Sequence, residues 1–425
     1  MSVALAIEVQ DMQDAWGVGV LEVDDEQVEY SMTLSRGRGS VTDSASASSL
    51  RVNFLADQSA TNHLGGVEVG GHITLWHIDS LDRSKRSARF TGRVTDIALQ
   101  HNTSGSRTVI EVQAVGAIAE ANARTIGDDP LPEAPAEARF YDVLGRADVD
   151  LDGYAQMSDP SPTLVARESS NESVTDALQR IADSIGAAIF DNTDGEIVMQ
   201  RYQDRIGIID ADNHGDWQDV STSWAATLGT WQGYYTTEVL PTIELPCDSV
   251  VFEPTWRQFS GGIANRYTVK YWDGDYTLRD AQSIAKFGLR GIEVETDLLE
   301  YSDVQARAVD LMRIHSGPAW TLDSVQVRLD MLDSKTFEDL TRYEIIGRRV
   351  RLTDLPTPAP HTSVTMYVEG VAESYAPGAW VMTLALSPLH WSAENLPWGY
   401  ASGDWQDALV MWDAALSNEA LFGGP

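Results

Sequence analysis

The sequence has only one cysteine, Cys247, among 425 residues. A single thiol excludes a disulfide within the chain and a multi-cysteine metal site. Its neighbours Leu245, Pro246, Val250 and Val251 are apolar. We therefore expect Cys247 to be a small core residue and not a reactive thiol.

Basic residues are scarce. The chain has 30 lysines and arginines against 64 aspartates and glutamates, a formal net charge of −34. Affinity for nucleic acid without sequence preference requires a positive surface, and so does binding to an anionic membrane. The charge balance argues against both classes of partner.

Long hydrophobic runs are also missing. No apolar stretch approaches the roughly 20 residues that a membrane-spanning helix needs, and residues 1–10 are too short and too soon acidic for a signal peptide. We expect the protein to stay in a cytoplasm or in a particle assembled there.

The motifs of common enzymes are absent. The sequence has no G-x-S-x-G, H-E-x-x-H, Walker or strand-linked G-x-G-x-x-G pattern. His72 and His77 are five residues apart on a predicted strand and point to opposite faces, so they cannot share a metal. Residues 36–40 are predicted to form a loop, in which Arg36 and Arg38 could form salt bridges at a subunit interface. We expect no catalytic activity.

One acidic segment resembles the start of a calcium loop. Asp148, Asp150 and Asp152 have the right spacing, with glycine at the sixth position. The twelfth position is aspartate and not the bidentate glutamate, and the prolines that follow exclude an exit helix. A solvated acidic turn is the favoured interpretation, and calcium binding is the alternative.

Short β-prone runs with turn residues between them dominate the chain. They cover residues 18–23, 28–34, 50–55, 72–78, 89–99, 108–115, 249–252, 264–271, 292–296, 323–329, 349–352, 365–373 and 380–386. Apolar residues at helical spacing predict a helix from Ser173 to Gly186 and a second one from Ser302 to Gly317. A short helix is predicted over residues 136–145, and an Asp194–Gly195 turn predicts a hairpin after the first long helix.

Tryptophans recur every seven residues in two segments. The C-terminal set is Trp391, Trp398, Trp405 and Trp412, and the mid-chain set is Trp217, Trp224 and Trp231. One interpretation is that they plug the ends of barrels. The other is that the C-terminal set is an interface that docks on a neighbouring subunit or fibre, because tryptophan dominates interface hot spots.

Several stretches together resemble the minor tail proteins of long-tailed actinobacterial phages and, through them, the baseplate (tail tip) hub family. They are residues 70–76 and 90–96, residues 172–183 with the turn at 194–195, residues 265–271 and 283–288, and residues 368–372 and 380–388. The resemblance covers most of residues 30–412 and lies in the pattern and order of the segments.

The resemblance implies a mainly β (α+β) fold with two tail-tube-like β-barrel domains, a helix-hairpin α/β insert, a further helix-bearing insert and a Trp-rich tail. The expected boundaries are 1–125 for the first barrel, 126–205 for the α/β insert, 206–245 for a return to the first barrel and a connector, 246–392 for the second barrel and 393–425 for the tail.

The function implied by the resemblance is structural: a homotrimeric ring at the tail tip of the virion, assembled in the host cytoplasm. Its expected partners are the distal tail protein or tail tube, the tape measure protein, and other minor tail proteins or fibres. DNA would pass through without specific binding, with no cofactor and no membrane partner. The alternatives are a distal tail ring protein, an aromatic-rich module that binds cell-wall glycan, and a peptidoglycan hydrolase, which the missing motifs disfavour.

Overall fold

The structure is a computed structural model. It describes residues 4–10, 18–23, 30–40, 43–57, 67–78, 86–101, 107–147, 151–157, 161–169, 171–202, 205, 242–247, 251–252, 254, 256–257, 263–315, 321–341, 344–356, 359, 362–376 and 379–388. Within these residues the fold is mainly β, and the largest sheet has 13 strands. This sheet is curled as a half-barrel, which confirms the expected fold class.

The first half of the large sheet consists of seven strands. They are β1 (Ala4–Gln10), β2 (Val18–Val23), β3 (Tyr30–Gly37), β4 (Ser49–Asp57), β5 (His72–Ile78), β6 (Arg86–His101) and β7 (Arg107–Val115). Their order is β3-β4-β7-β6-β5-β1-β2, and all pairs are antiparallel. Met32 and Leu34 of β3 and Leu50 and Val52 of β4 are buried, which is the period-two alternation of strands with one face in the core.

A first insert follows β7. Its elements are α1 (Ala117–Asn122), β8 (Ala134–Pro135), α2 (Ala136–Gly145), β9 (Gly153–Gln156), β10 (Thr163–Leu164), α3 (Val174–Ile185), β11 (Ala187–Asp191) and β12 (Ile197–Arg201). β11 and β12 form an antiparallel hairpin, and β9 pairs with β12 in parallel. The hydroxyl of Ser173 accepts a hydrogen bond from the amide of Asp176 at 3.0 Å and caps α3, and Gly186 follows the helix with a φ of 72°. The predicted helix and hairpin are confirmed.

A second insert contains a small three-stranded sheet and two helices. Its elements are β16 (Arg266–Tyr271), β17 (Gly274–Arg279), α4 (Ala281–Phe287), β18 (Gly291–Glu295) and α5 (Tyr301–His315). β16 lies between antiparallel β17 and parallel β18. Among the described residues, β16 pairs with β17 and β18 and with no strand of the large sheet. Residues 283–287, which carry part of the resemblance, belong to α4.

The second half of the large sheet is formed by the chain on either side of the second insert. Its strands are β13 (Ile243–Pro246), β14 (Val251–Phe252), β20 (Ser324–Arg328), β21 (Arg349–Thr353), β22 (Val364–Ala376) and β23 (Ala379–Pro388). A two-stranded ribbon of β15 (Trp256–Arg257) and β19 (Thr321–Leu322), a 3₁₀ turn (Leu329–Met331) and α6 (Ser334–Thr341) complete it. Strand order is β14-β20-β23-β22, with β21 beside the first part of β22 and β13 outside β21.

Two main hydrophobic cores organise these parts. One core contains side chains from both halves of the large sheet, including Ile73 and Phe90 from the first half and Val350 and Met382 from the second. Cys247 belongs to this core and is 8% exposed, which confirms its predicted role. The other core joins the two inserts, since Val269, Val304 and Ala308 pack in one cluster with the buried face of α3. The two halves of the large sheet therefore share one core, and the two inserts share the other.

Candidate functional site: the junction of the two sheet halves

The two halves become one sheet because β22 changes partner along its length. Residues Val364 to Tyr367 pair with β21, and Gly370 to Tyr375 pair with β3. On its other edge β22 pairs with β23, from Met366 to Ala376. The register against β23 shifts between Val368 and Gly370, which places Glu369 in a β-bulge. Bulges redirect a side chain at the point where pairing changes. Glu369 therefore marks the branch of the sheet.

The strands approach unusually closely at this branch. Gly37 of β3 is the register partner of Gly370. A Cβ at Gly37 would lie 2.5 Å from the carbonyl oxygen of Glu369 and 2.8 Å from the Cα of Gly370. Gly37 also has a φ of 76°, a conformation that side chains disfavour. Glycine is required here for the halves to join.

The carboxylate of Glu369 is fully buried between two arginines. Arg38 donates to it through Nη2 at 2.6 Å and Nε at 3.1 Å. Arg205 donates to both oxygens, at 2.5 and 3.0 Å, and the hydroxyl of Ser387 is the third donor residue. The ring of Tyr202 lies 5.2 Å from the guanidinium carbon of Arg38 and 4.8 Å from that of Arg205. We name Glu369, Arg38, Arg205, Tyr202 and Ser387 the junction cluster.

The electrostatics of the junction cluster favour the ionised carboxylate. Burial by itself would raise the pKa of Glu369, but the charges of Arg205 and Arg38 and the hydrogen bonds to Arg205 and Ser387 outweigh it and hold that pKa well below its ordinary range. Burial likewise opposes the charge of Arg38, and the neighbouring Glu369 and Tyr202 raise its pKa above the usual value. The shifts favour the charged forms of both Glu369 and Arg38.

A second ion pair ties the junction to the first insert. Arg36 of β3 donates to Glu344 at 2.6 Å. The same carboxylate accepts from the backbone amide of Thr193 in the β11–β12 turn at 3.1 Å, and from the amides of Ile345 and Ile346 at 2.9 and 3.0 Å. One side chain therefore holds three parts of the chain together.

A third ion pair crosses the core of the large sheet. Arg89 of β6 pairs with Glu373 of β22, and both side chains are fully buried. Arg89 also donates to the carbonyl oxygen of Thr341 at the end of α6, at 2.7 Å. The indole of Trp380 donates to Glu373 at 3.2 Å. Breaking such a pair leaves an uncompensated buried charge, which is strongly destabilising.

Asp191 at the end of β11 connects the first insert to the first half of the sheet. Its two oxygens accept from the amides of Ser48 and Ile118, both at 2.9 Å. It thereby caps α1 from a distant part of the sequence, because α1 has no side-chain cap of its own. Burial raises the pKa of Asp191, and the two backbone hydrogen bonds only partly offset this. The inserts are fixed to the sheet by hydrogen bonds as well as by packing.

The two arginines of the predicted loop lie at the end of a strand. Arg36 and Gly37 belong to β3, so the prediction of a loop over residues 36–40 is wrong at its start. Both arginines form salt bridges, but their partners Glu344 and Glu369 are in the same chain. The sequence contains a signal for this strand end, because Arg36 and Arg38 continue the period-two spacing of Met32 and Leu34. In the structure all four side chains are buried.

Other predicted sites lie largely outside the described residues. This holds for the interface tryptophans Trp391, Trp398, Trp405 and Trp412, for the mid-chain Trp217, Trp224 and Trp231, and for Asp148 and Asp150 of the acidic loop. Asp152 is described and immediately precedes β9. Among the described residues no group of histidine, cysteine, aspartate or glutamate side chains is arranged to hold a metal ion. The solvated acidic turn stays the favoured interpretation and calcium binding the alternative, and calorimetric titration of the full chain with calcium would distinguish them.

His72 and His77 both lie in β5. The pKa of His72 is lowered by partial burial and by Arg93. The ring of His77 packs edge-on against Phe337, with centroids 5.0 Å apart. In the part of the chain that is described, no helix is both long and apolar enough to cross a membrane.

Comparison with known proteins adds the fold-level context. No protein-family model matches the sequence, and no curated protein matches it. The structure is similar to the 43 kDa tail protein of prophage MuSo2 from Shewanella oneidensis, with a TM-score of 0.56 at 10% identity, covering 91% of this chain and 98% of that one. It is also similar to the tail protein from Neisseria meningitidis MC58, with a TM-score of 0.58 at 10% identity, covering 92% and 98%. The chain has the fold of these tail proteins over nearly its whole length.

Proposed function

We propose that this chain is a structural subunit of a phage tail tip: the hub, which forms a trimeric ring between the tail tube and the receptor-binding components. The observation that carries the proposal is the junction at Glu369, where two β halves of one chain become a single sheet. Each chain supplies two sheet halves, so three chains would supply six. A ring of this kind matches a sixfold tube to a threefold tip, and the likeness to two tail proteins supports it.

The work of such a subunit is mechanical and not catalytic. A tail tip must transmit the force of attachment to the tube without shearing between its parts. Ion pairs at Glu369, Glu344 and Glu373, each with a buried arginine, tie the first half of the chain to the second. Buried pairs fix relative position more than they add net stability. The arrangement suits a rigid connector.

The proposed ring also forms part of the DNA exit channel. A chain with a net charge of −34 repels phosphate, provided that part of the acidic excess faces the lumen. DNA would then slide past without binding. Replacing carboxylates of the lumen by lysine should slow genome ejection, and ejection at the normal rate would count against this part of the proposal.

The proposed partners are the distal tail protein or tail tube, the tape measure protein, and other minor tail proteins or fibres. We propose Trp391, Trp398, Trp405 and Trp412 as a docking segment for one of them, because tryptophan is enriched at interface hot spots. Deletion of residues 393–425, which removes all of these tryptophans except Trp391, should leave a folded protein that no longer assembles. A deletion variant that still assembles, or one that does not fold, would refute this role.

Imaging of the assembled particle tests the location. Electron cryomicroscopy of tails from the phage or prophage that encodes the chain should show three copies at the tip, in contact with the last ring of the tube. Six copies in a ring would indicate the alternative of a distal tail protein. Absence of the chain from purified tails would exclude both.

A further inference from the structure

Two exposed aromatic residues lie at the same end of the second insert. β16 ends at Tyr271 and β17 begins at Gly274, so Trp272 and Asp273 form the hairpin turn. Trp272 is 60% exposed, and Tyr301, the first residue of α5, is 48% exposed. Large aromatic side chains usually gain by burial, so two of them at one exposed end are unusual.

The rings are held in place by the chain beneath them. The indole nitrogen of Trp272 donates to the carbonyl oxygen of Leu299 at 2.9 Å, and this bond positions the indole beside the segment that leads into α5. The ring of Tyr301 packs edge-on against Tyr276, with centroids 5.7 Å apart, and at an angle against Tyr271 at 6.2 Å. Because the rings are already ordered, binding a partner would cost little side-chain entropy.

Acidic residues are next to these two aromatic residues in the chain. Asp273 follows Trp272 in the turn, Glu300 precedes Tyr301, and both are exposed. Within the described part of the chain neither carboxylate forms an ion pair, whereas the nearby Glu293 and Glu295 are paired with Lys270. We name Trp272, Asp273, Glu300 and Tyr301 the aromatic tip. It combines free negative charge with fixed aromatic faces.

This combination indicates the chemistry of a partner. A guanidinium group stacks on an aromatic face and forms a forked ion pair with a carboxylate, so arginine satisfies both features at once. An anionic ligand is disfavoured, because the exposed carboxylates of Asp273 and Glu300 would repel it. A second copy of this chain carries only 30 lysines and arginines against 64 aspartates and glutamates, and contact between copies is one of the outcomes that the test below separates. We propose that the aromatic tip is a docking surface for an arginine-bearing basic segment of a partner protein.

Binding of defined peptides to the full-length protein tests the proposal. A fluorescent peptide with six arginines separated by glycines is compared with the same peptide carrying lysines, by anisotropy at ~0.5 M salt, where the Debye length is only a few ångströms. Long-range electrostatic attraction is the same for both peptides because they carry the same charge, whereas stacking on an aromatic ring favours arginine. We expect the arginine peptide to bind more tightly, and Trp272→Ala to weaken it roughly 2- to 5-fold.

Two controls make the result specific. Leu289→Ala removes another exposed apolar side chain of the same insert, 57% exposed, and should leave the affinity unchanged. Tyr301→Ala combined with Trp272→Ala should weaken arginine-peptide binding further than Trp272→Ala alone. Circular dichroism and the copy number of each variant show that fold and assembly are intact, so failure of this proposal is distinguishable from failure of the proposed hub.

Three results would overturn the proposal. The first is that the arginine and lysine peptides bind with equal affinity and that Trp272→Ala changes neither affinity. The second is a native mass that falls in Trp272→Ala, which would make the tip a contact between copies of this chain. The third is binding of a neutral N-acetylglucosamine oligomer that Trp272→Ala abolishes while arginine-peptide affinity stays the same, which would make the tip a glycan site.

Discussion

Gly37 of β3 lies opposite Gly370 of β22, and their backbones are so close that neither position has room for a Cβ. The amide of Arg38 donates to the carbonyl oxygen of Glu369 at 3.1 Å in the same place. The contact joins two strands separated by more than three hundred residues of chain. The union of the two sheet halves therefore depends on two glycines and the buried carboxylate beside them.

Substitution of Gly37 tests the close approach. Gly37→Ala should destabilise the protein strongly, because it combines an unfavourable φ with a steric clash against the backbone of β22. Gly127→Ala is the matched control: Gly127 has a φ of 77°, and a Cβ added there would meet no atom within 4 Å. We expect the free energy of unfolding, measured by chemical denaturation, to fall by about 1–2 kcal/mol in the control. In Gly37→Ala it should fall by at least ~2 kcal/mol more. Equal losses would show that the junction tolerates a side chain.

Removal of the charge on Glu369 tests the junction cluster. Glu369→Gln leaves Arg38 and Arg205 buried without their counter-ion, and should lower the free energy of unfolding by about 3–5 kcal/mol. Glu295→Gln is the control, because it neutralises a side chain that is 76% exposed. It should change the free energy of unfolding by no more than about 0.5 kcal/mol. A loss below ~1 kcal/mol in Glu369→Gln would mean that the arginines find other partners.

The stability difference between the natural protein and Glu369→Gln should depend on pH. The pKa of Glu369 in the folded protein lies below its ordinary value of 4.5, so its contribution is fully present above that pH and is lost as the pH falls toward the folded-state pKa. The stability difference between the natural protein and Glu369→Gln should be constant from about pH 8 to pH 5 and shrink below 4.5. Unfolding curves at each pH measure it. A difference that persists unchanged into strong acid would contradict the low pKa.

Asp191 gives a prediction about the first insert. In Asp191→Asn the side-chain amide can accept from only one of the two amides that Asp191 serves, and its own N–H faces the other. We expect the free energy of unfolding to fall by about 1–3 kcal/mol. Relative to the natural protein, hydrogen exchange should accelerate more in α1 than in α3. Asp128→Asn changes an exposed aspartate and should have no such effect. If exchange in α1 is unaffected, the cap from Asp191 does not hold that helix.

Local sequence pattern predicted the elements whose signals are local. The spacing of Val174, Leu178 and Ile181 identified α3, and Ser173 and Gly186 identified its two ends. The spacing of Val304, Ala308 and Met312 identified α5 in the same way. These features lie within a few turns of helix, where periodicity and capping are sufficient.

The junction could not be predicted in this way. Which strand pairs with β22 depends on contacts between residues that are far apart in sequence, and periodicity has no information on them. A glutamate followed by glycine inside a strand does suggest a bulge at Glu369, but not its arginine partners. The sequence pattern did not predict the short helix α6 either, because it lies in a β-rich stretch and only two of its buried side chains, Phe337 and Leu340, are apolar.

The most direct test of the account is the native mass of the purified full-length protein, measured by native mass spectrometry or light scattering. The proposed hub predicts a stable complex with three times the mass of one chain, and the same copy number for Trp272→Ala. A stable monomer would contradict the ring, and a complex of six chains would replace the hub by a ring of the distal tail type.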